Sequence, residues 1–113
     1  MNVRIRKFEG IAILDISGRV VIGEALYTLR SIVREMLNDG FKNILLNMES
    51  VTYIDSAGIG ELVSCYTTVT TQGGAMKLVK TAAKIRDLLQ MTKLLTVFES
   101  YNNEPEAMKS FYN

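Results

Sequence analysis

The stretch ILLNMESVTYIDSAGIGEL, residues 44–62, carries the reading of the fold. It opens with Ile44-Leu45-Leu46-Asn47-Met48, a nearly continuous apolar run of strand length. That is the pattern of a strand covered on both faces, and it places these residues centrally in a parallel sheet. The stretch then turns through Asp55-Ser56, two residue types that cap helices, into Ile59, Leu62, Val63, Tyr66 and Val69. Those apolar residues recur by threes and fours up to Gly73-Gly74, so an amphipathic helix follows the central strand directly.

The flanks extend the alternation in both directions. Residues 3–8 and 11–17 are short runs rich in Ile and Val on either side of Glu9-Gly10, which predicts a hairpin of two strands. After Gly23, Leu26, Leu29, Ile32, Val33, Met36 and Leu37 have helical spacing until Asn38-Asp39-Gly40, a glycine stop. Downstream, residues 76–79 read as a strand, Ala82, Ile85, Leu88 and Leu89 as a third helix, and Thr96-Val97-Phe98 as a last short strand. Asn103 stands where an N-cap belongs, with Pro105 in the first turn, Glu106 three residues on, and Met108 and Phe111 facing inward, so a short helix follows. The expectation is an α/β fold, a single domain over residues 1–113 with a mixed sheet of about five strands and about four helices on right-handed crossovers.

Composition narrows the function. The chain has 113 residues with 13 basic and 12 acidic side chains, a net charge of +1, and 48% hydrophobic against 22% charged residues. That is enough apolar side chain for one core and too little charge for disorder. With no basic field, direct nucleic-acid binding is not expected. No apolar stretch reaches the ~18 residues of a membrane span, and Met1-Asn2-Val3-Arg4-Ile5-Arg6 alternates charge instead of forming a secretory apolar core, so a cytoplasmic protein is expected.

Cys65 is the only cysteine, which precludes an internal disulfide and a cysteine metal cluster. The chain has no histidine, and so lacks the usual general base and the commonest transition-metal ligand. Serine, cysteine and zinc hydrolases are therefore disfavoured, and no metal, cofactor or catalytic residue is assigned. An enzyme built on Asp55 and Ser56 would lack an activating base, since no lysine is close to the turn in sequence.

Two readings of Ser56 stand. Either Asp55 or Ser56 can cap the helix that starts there, and by position alone Ser56 is preferred as a cap, with Gly58 and Gly60 admitting close packing. In the other reading, Ser56 is a hydroxyl at an exposed loop tip, with Ala57 and Gly58 leaving room for a partner's active site.

The sequence Val51-Thr52-Tyr53-Ile54-Asp55-Ser56-Ala57-Gly58-Ile59-Gly60 resembles the signature of the STAS family, the bacterial anti-sigma factor antagonists. The similarity covers almost the whole chain. Leu14-Asp15-Ile16-Ser17-Gly18-Arg19 resembles the family's second strand and turn, residues 44–48 its central strand, and Gly73-Gly74 before Met76-Lys77-Leu78-Val79 also matches.

The resemblance implies that Ser56 is the residue phosphorylated by a partner anti-sigma factor, itself an ATP-binding serine kinase of histidine-kinase-like fold. It implies that the unphosphorylated chain binds that kinase and frees a sigma factor, that phosphorylation breaks the complex, and that a serine phosphatase acting on phospho-Ser56 restores it. Asp55, Ser56, Ala57, Gly58, Ile59, Val21 and Glu61 are then the partner-binding residues, on a monomer or weak dimer. The alternative is a structural STAS subunit of a stressosome-type or lipid-transport assembly, with Ser56 partly or wholly a cap.

A phosphate adds about −1.5 to −2 charges beside Asp55 and one turn before Glu61, so like charge and bulk oppose docking. The helix N-terminus partly stabilises the phosphate, and the expected change is local. Swinging a binding equilibrium from 1:99 to 99:1 takes about 5.5 kcal/mol, more than one surface charge pair supplies, so steric exclusion must contribute.

Where many family members carry an acidic residue after Gly18-Arg19, this chain has Val20-Val21-Ile22. Val20 and Ile22 read as core, and Val21 is open between core and an apolar docking surface. Cys65 reads as a small buried apolar residue, and Tyr53 as either a strand packing residue or an exposed contact. Lys77, Lys80, Lys84 and Arg86 read as solvated positions around one strand and one helix.

Overall fold

The first two strands, β1 (Asn2–Phe8) and β2 (Ile11–Val20), pair antiparallel from Asn2↔Ser17 to Phe8↔Ile11. Their two-residue turn has Glu9 at φ 48° and Gly10 at φ 80°, both left-handed, the turn whose twist matches that of the strands it joins. The computed structural model describes residues 1–93 and 97–112. Its remaining elements are α1 (Glu24–Asn38), β3 (Asn43–Ile54), α2 (Ser56–Thr71), β4 (Ala75–Val79), α3 (Ala83–Met91), β5 (Ser100–Tyr101) and α4 (Glu104–Ser110). The sheet order is β1-β2-β3-β4-β5, with β2 through β5 mutually parallel. Among the described residues this is the expected α/β fold, with a five-stranded mixed sheet and four helices.

The apolar run of β3 follows from its two covered faces. Ile44, Leu46 and Met48 pack into the main core with Leu14 and Ile16 of β2, Leu29 and Val33 of α1, Leu62 and Val69 of α2, and Leu89 of α3. Leu45 points the other way, into a second cluster with Ile11, Ile13, Val79 and Ala107 of α4, edged by Met108 and Phe111. On this second side Asn47 bonds Asp15 instead, its Nδ2 donating to Asp15 Oδ1 at 2.8 Å. The polar interruption thus joins a salt-bridged network beside the second core, in which Asp15 also accepts from Arg6 at 2.7 and 2.8 Å.

The structure corrects three details. β2 and β3 run well past residues 17 and 48, to Val20 and Ile54, and register shifts between Asp15 and Ser17 and between Gly18 and Arg19 break the alternation there. The last strand is Ser100–Tyr101; Phe98 lies before it as a core plug, edge-on to Tyr66 at 5.4 Å, and Thr96 lies outside the described residues, as does the side chain of Leu26. Lys77 is not solvated. Its stem is buried under α4, and its Nζ donates to Ser110 O at 3.1 Å, stands 3.0 Å from Glu99 Oε2 and lies 4.7 Å from the Phe111 ring centroid. A cation here meets the last carbonyls of a helix, where a positive charge is favoured.

Asn103 caps α4, its Oδ1 accepting from Glu106 N at 2.9 Å, with Pro105 in the first turn. Because β2 to β4 are parallel, the loops that follow β2, β3 and β4 gather at one edge of the sheet, and Asp55-Ser56 lies in the middle of them.

Candidate functional site

At that edge β3 ends in Ile54 and the chain turns on Asp55, in extended conformation at φ −102°, into α2. Asp55 Oδ1 accepts from Gly58 N at 2.8 Å, and Asp55 Oδ2 accepts from Ile22 N at 3.1 Å. The Asp55 amide donates in turn to Val20 O at 3.3 Å. One carboxylate therefore closes the first turn of α2 and pins the loop that leaves β2. The amides of Gly58 and then Ile22 hold the Asp55 carboxyl below the usual carboxylate range, so it is ionised at neutral pH.

Since Asp55 is the cap, Ser56 is not. Ser56 is the first residue of α2, its side chain is exposed, and its hydroxyl makes no hydrogen bond among the described residues. Two features that sequence position could not separate, the cap and the exposed hydroxyl, belong to neighbouring residues.

Gly58 is a packing requirement. A Cβ there would run into the Val20 carbonyl oxygen and lie 2.8 Å from Ile54 Cγ1, so only glycine lets α2 approach the end of β2 this closely. Gly60 faces open space.

The residues expected to meet a partner divide by burial. Asp55, Ala57 and Val21 are half-buried around exposed Ser56. Gly58, Ile59 and Glu61 are buried and offer little surface. Glu61 is 6% exposed, and both its oxygens are taken by Arg30 of α1, at 2.7 Å each, so its charge is matched within the fold. Val20 is core as expected, but Ile22 is not: it is 77% exposed, because its backbone, held by Asp55, carries the side chain outward. Tyr53 is an exposed residue, with the Arg19 guanidinium 5.2 Å from its ring centroid. Cys65 is a buried residue, as read from the sequence.

Beside Ser56 runs a groove of about 460 Å³ between the turn and α3, lined by Tyr53, Ile54, Ser56, Ile59, Lys84 and Leu88 among others. No lysine is near the turn in sequence, but the fold supplies one, Lys84 in the first turn of α3. The signal that finds it is topological: α2 and α3 both start at the ends of adjacent parallel strands, so their first turns are neighbours. Among the described residues, no three side chains of the histidine, cysteine or acidic types come together, and no helix is long and apolar enough to cross a membrane.

Comparison with known proteins agrees with this architecture. The STAS domain family matches residues 2–107. A Thermotoga maritima protein named as a candidate anti-sigma factor antagonist is 32% identical over 75 residues, 66% of either chain. The anti-sigma F factor antagonist of Paenibacillus polymyxa is 22% identical over 113 residues, covering 96% of this chain and 92% of that one. The crystal structure of TM1081 from Thermotoga maritima, also named as a candidate antagonist, superposes with a TM-score of 0.90 at 25% identity, over 98% of this chain and 95% of the other.

Proposed function

The chain belongs to the STAS domain family, and from that membership we propose that it is an anti-sigma factor antagonist that works by partner switching, with Ser56 as the phosphorylated residue. The observation that carries the reading is the division of labour at the turn: Asp55 does the capping, which leaves the Ser56 hydroxyl exposed and, among the described residues, unbonded at the start of α2. A kinase can reach that hydroxyl without unwinding α2. The names of the Thermotoga and Paenibacillus relatives support the same class of function.

In this reading the unphosphorylated chain presents Ser56, half-buried Val21 and exposed Ile22 as one surface, held together by the Asp55 carboxylate. The partner is an anti-sigma factor serine kinase, whose ATP belongs to it and not to this chain. Glu61 is buried and paired with Arg30, so a phosphate acts chiefly by its own charge and bulk on an apolar docking surface. A serine phosphatase resets the switch, and the setting is the cytoplasm.

The test is a pull-down from the source cell's lysate with wild-type and Ser56→Asp baits, read with the intact mass of the bait after Mg-ATP is added. Retention of one ATPase by wild type alone, with a single phosphate at Ser56, is expected. Retention of the same large complex by both baits, with no phosphate, would overturn the proposal and leave a structural subunit.

A further inference from the structure

We propose that Lys84 is the counter-charge of the phosphate on Ser56, holding it in cis across the groove between α2 and α3; this rests on the reading of Ser56 as the phosphorylated residue. The two residues line the same groove, although 28 positions separate them in sequence. Lys84 is exposed and forms no ion pair among the described residues. The other cations near this region are engaged: Lys80 with Glu49 at 2.9 Å, Arg30 with Glu61, and Arg19 over the Tyr53 ring.

The charge balance of the groove favours an anion at Ser56. Its one carboxylate among the lining residues, Asp55, has an amide on each oxygen, and the rest of the lining is apolar or hydroxylic apart from Lys84. Glu61, the next acidic residue along α2, faces Arg30 and is buried. A phosphate on Ser56 brings about −1.5 to −2 charges and three acceptor oxygens to a place where the uncommitted charge is positive. The lysine's flexible four-carbon stem and three donors suit it to reach that phosphate from α3. Once paired, phosphate and lysine span the groove beside half-buried Leu88, so the modification adds bulk as well as charge.

The test needs no kinase. Phosphoserine is placed at position 56 during translation, and its second ionisation is followed by phosphorus NMR in the wild-type background and in Lys84→Gln, Lys84→Arg and Arg19→Gln. The wild-type phosphate is expected to ionise below the ordinary value of about 6. Lys84→Gln is expected to raise that value by about half a unit, the attraction of one cation at contact distance in water, while Lys84→Arg keeps it low. Melting of the unphosphorylated variants at the wild-type temperature shows that the fold is intact. Equal values in wild type and Lys84→Gln, or a rise with Arg19→Gln alone, would overturn the proposal. Because the phosphate arrives without a kinase, that failure leaves partner switching standing, whereas a failed pull-down leaves the titration unaffected.

Discussion

The Asp55 carboxylate lies 2.8 Å from the Gly58 amide, and this one bond closes the first turn of α2 while leaving the neighbouring Ser56 hydroxyl unclaimed. Ser56→Ala should therefore change stability by no more than about 0.5 kcal/mol, as for an exposed surface position, while removing the proposed site of phosphate incorporation. Asp55→Ala should lower the melting temperature and speed amide exchange at Ile22, which donates to the same carboxylate. Urea titration of both variants decides the matter, since a Ser56→Ala loss equal to that of Asp55→Ala would make Ser56 the cap.

Gly58 and Gly60, two residues apart on α2, should respond to alanine with opposite signs. At Gly58 the new methyl meets the Val20 carbonyl oxygen, which is backbone and cannot turn away, so Gly58→Ala should cost about 3 kcal/mol. Nothing lies within 4 Å of a methyl at Gly60, and Gly60→Ala should stabilise by about 0.5 to 1 kcal/mol through the smaller entropy of the unfolded chain. Chemical denaturation of the pair, at equal m-value, is the measurement.

Arg6 holds the Asp15 carboxyl down at about 2, assisted by Asn47 and against the cost of burial. The folded chain thus binds this proton less readily than the unfolded one. The resulting stability is fully present above the ordinary carboxylate pKa of about 4 and is lost as pH falls from there toward 2. Asp15→Asn should be less stable than wild type at neutral pH and show a shallower decline across that acid window. Urea midpoints measured through the window test this, and identical slopes would remove Asp15 from the account.

Burial pushes the Cys65 thiol up to about 12, with the Glu61 charge adding to the effect. At 1% exposure it should resist iodoacetamide at mildly alkaline pH and be fully alkylated in denaturant. Rapid labelling of the native protein would mean that the core-facing side of α2 opens readily.

Much of this molecule is legible along the chain. The spacing of Leu29, Val33 and Met36, the alternation of the hairpin around Glu9-Gly10, and the apolar run of β3 are local patterns set by helix and strand periods. They suffice for the element order and for a sheet covered on both faces. The Asp55-Ser56 turn is legible as a candidate site because capping residues at the end of a central strand are few. The differences have local reasons: register shifts hide the second halves of β2 and β3, and apolar Phe98 has the pattern of a strand residue, whereas it plugs the core ahead of Ser100–Tyr101.

The sequence by itself determined the four helices and the place of the first four strands, because periodicity is a property of neighbours in the chain. The tertiary structure decided which of Asp55 and Ser56 caps α2, that Ile22 faces solvent, that Lys77 is buried under α4, that Arg30 pairs with Glu61, and that Lys84 and Ser56 line one groove. Each of these depends on a hydrogen bond, a charge pair or a shared groove between groups distant in sequence or between side chains equal in propensity, and only the packing of parallel strands and their helices brings such groups within reach.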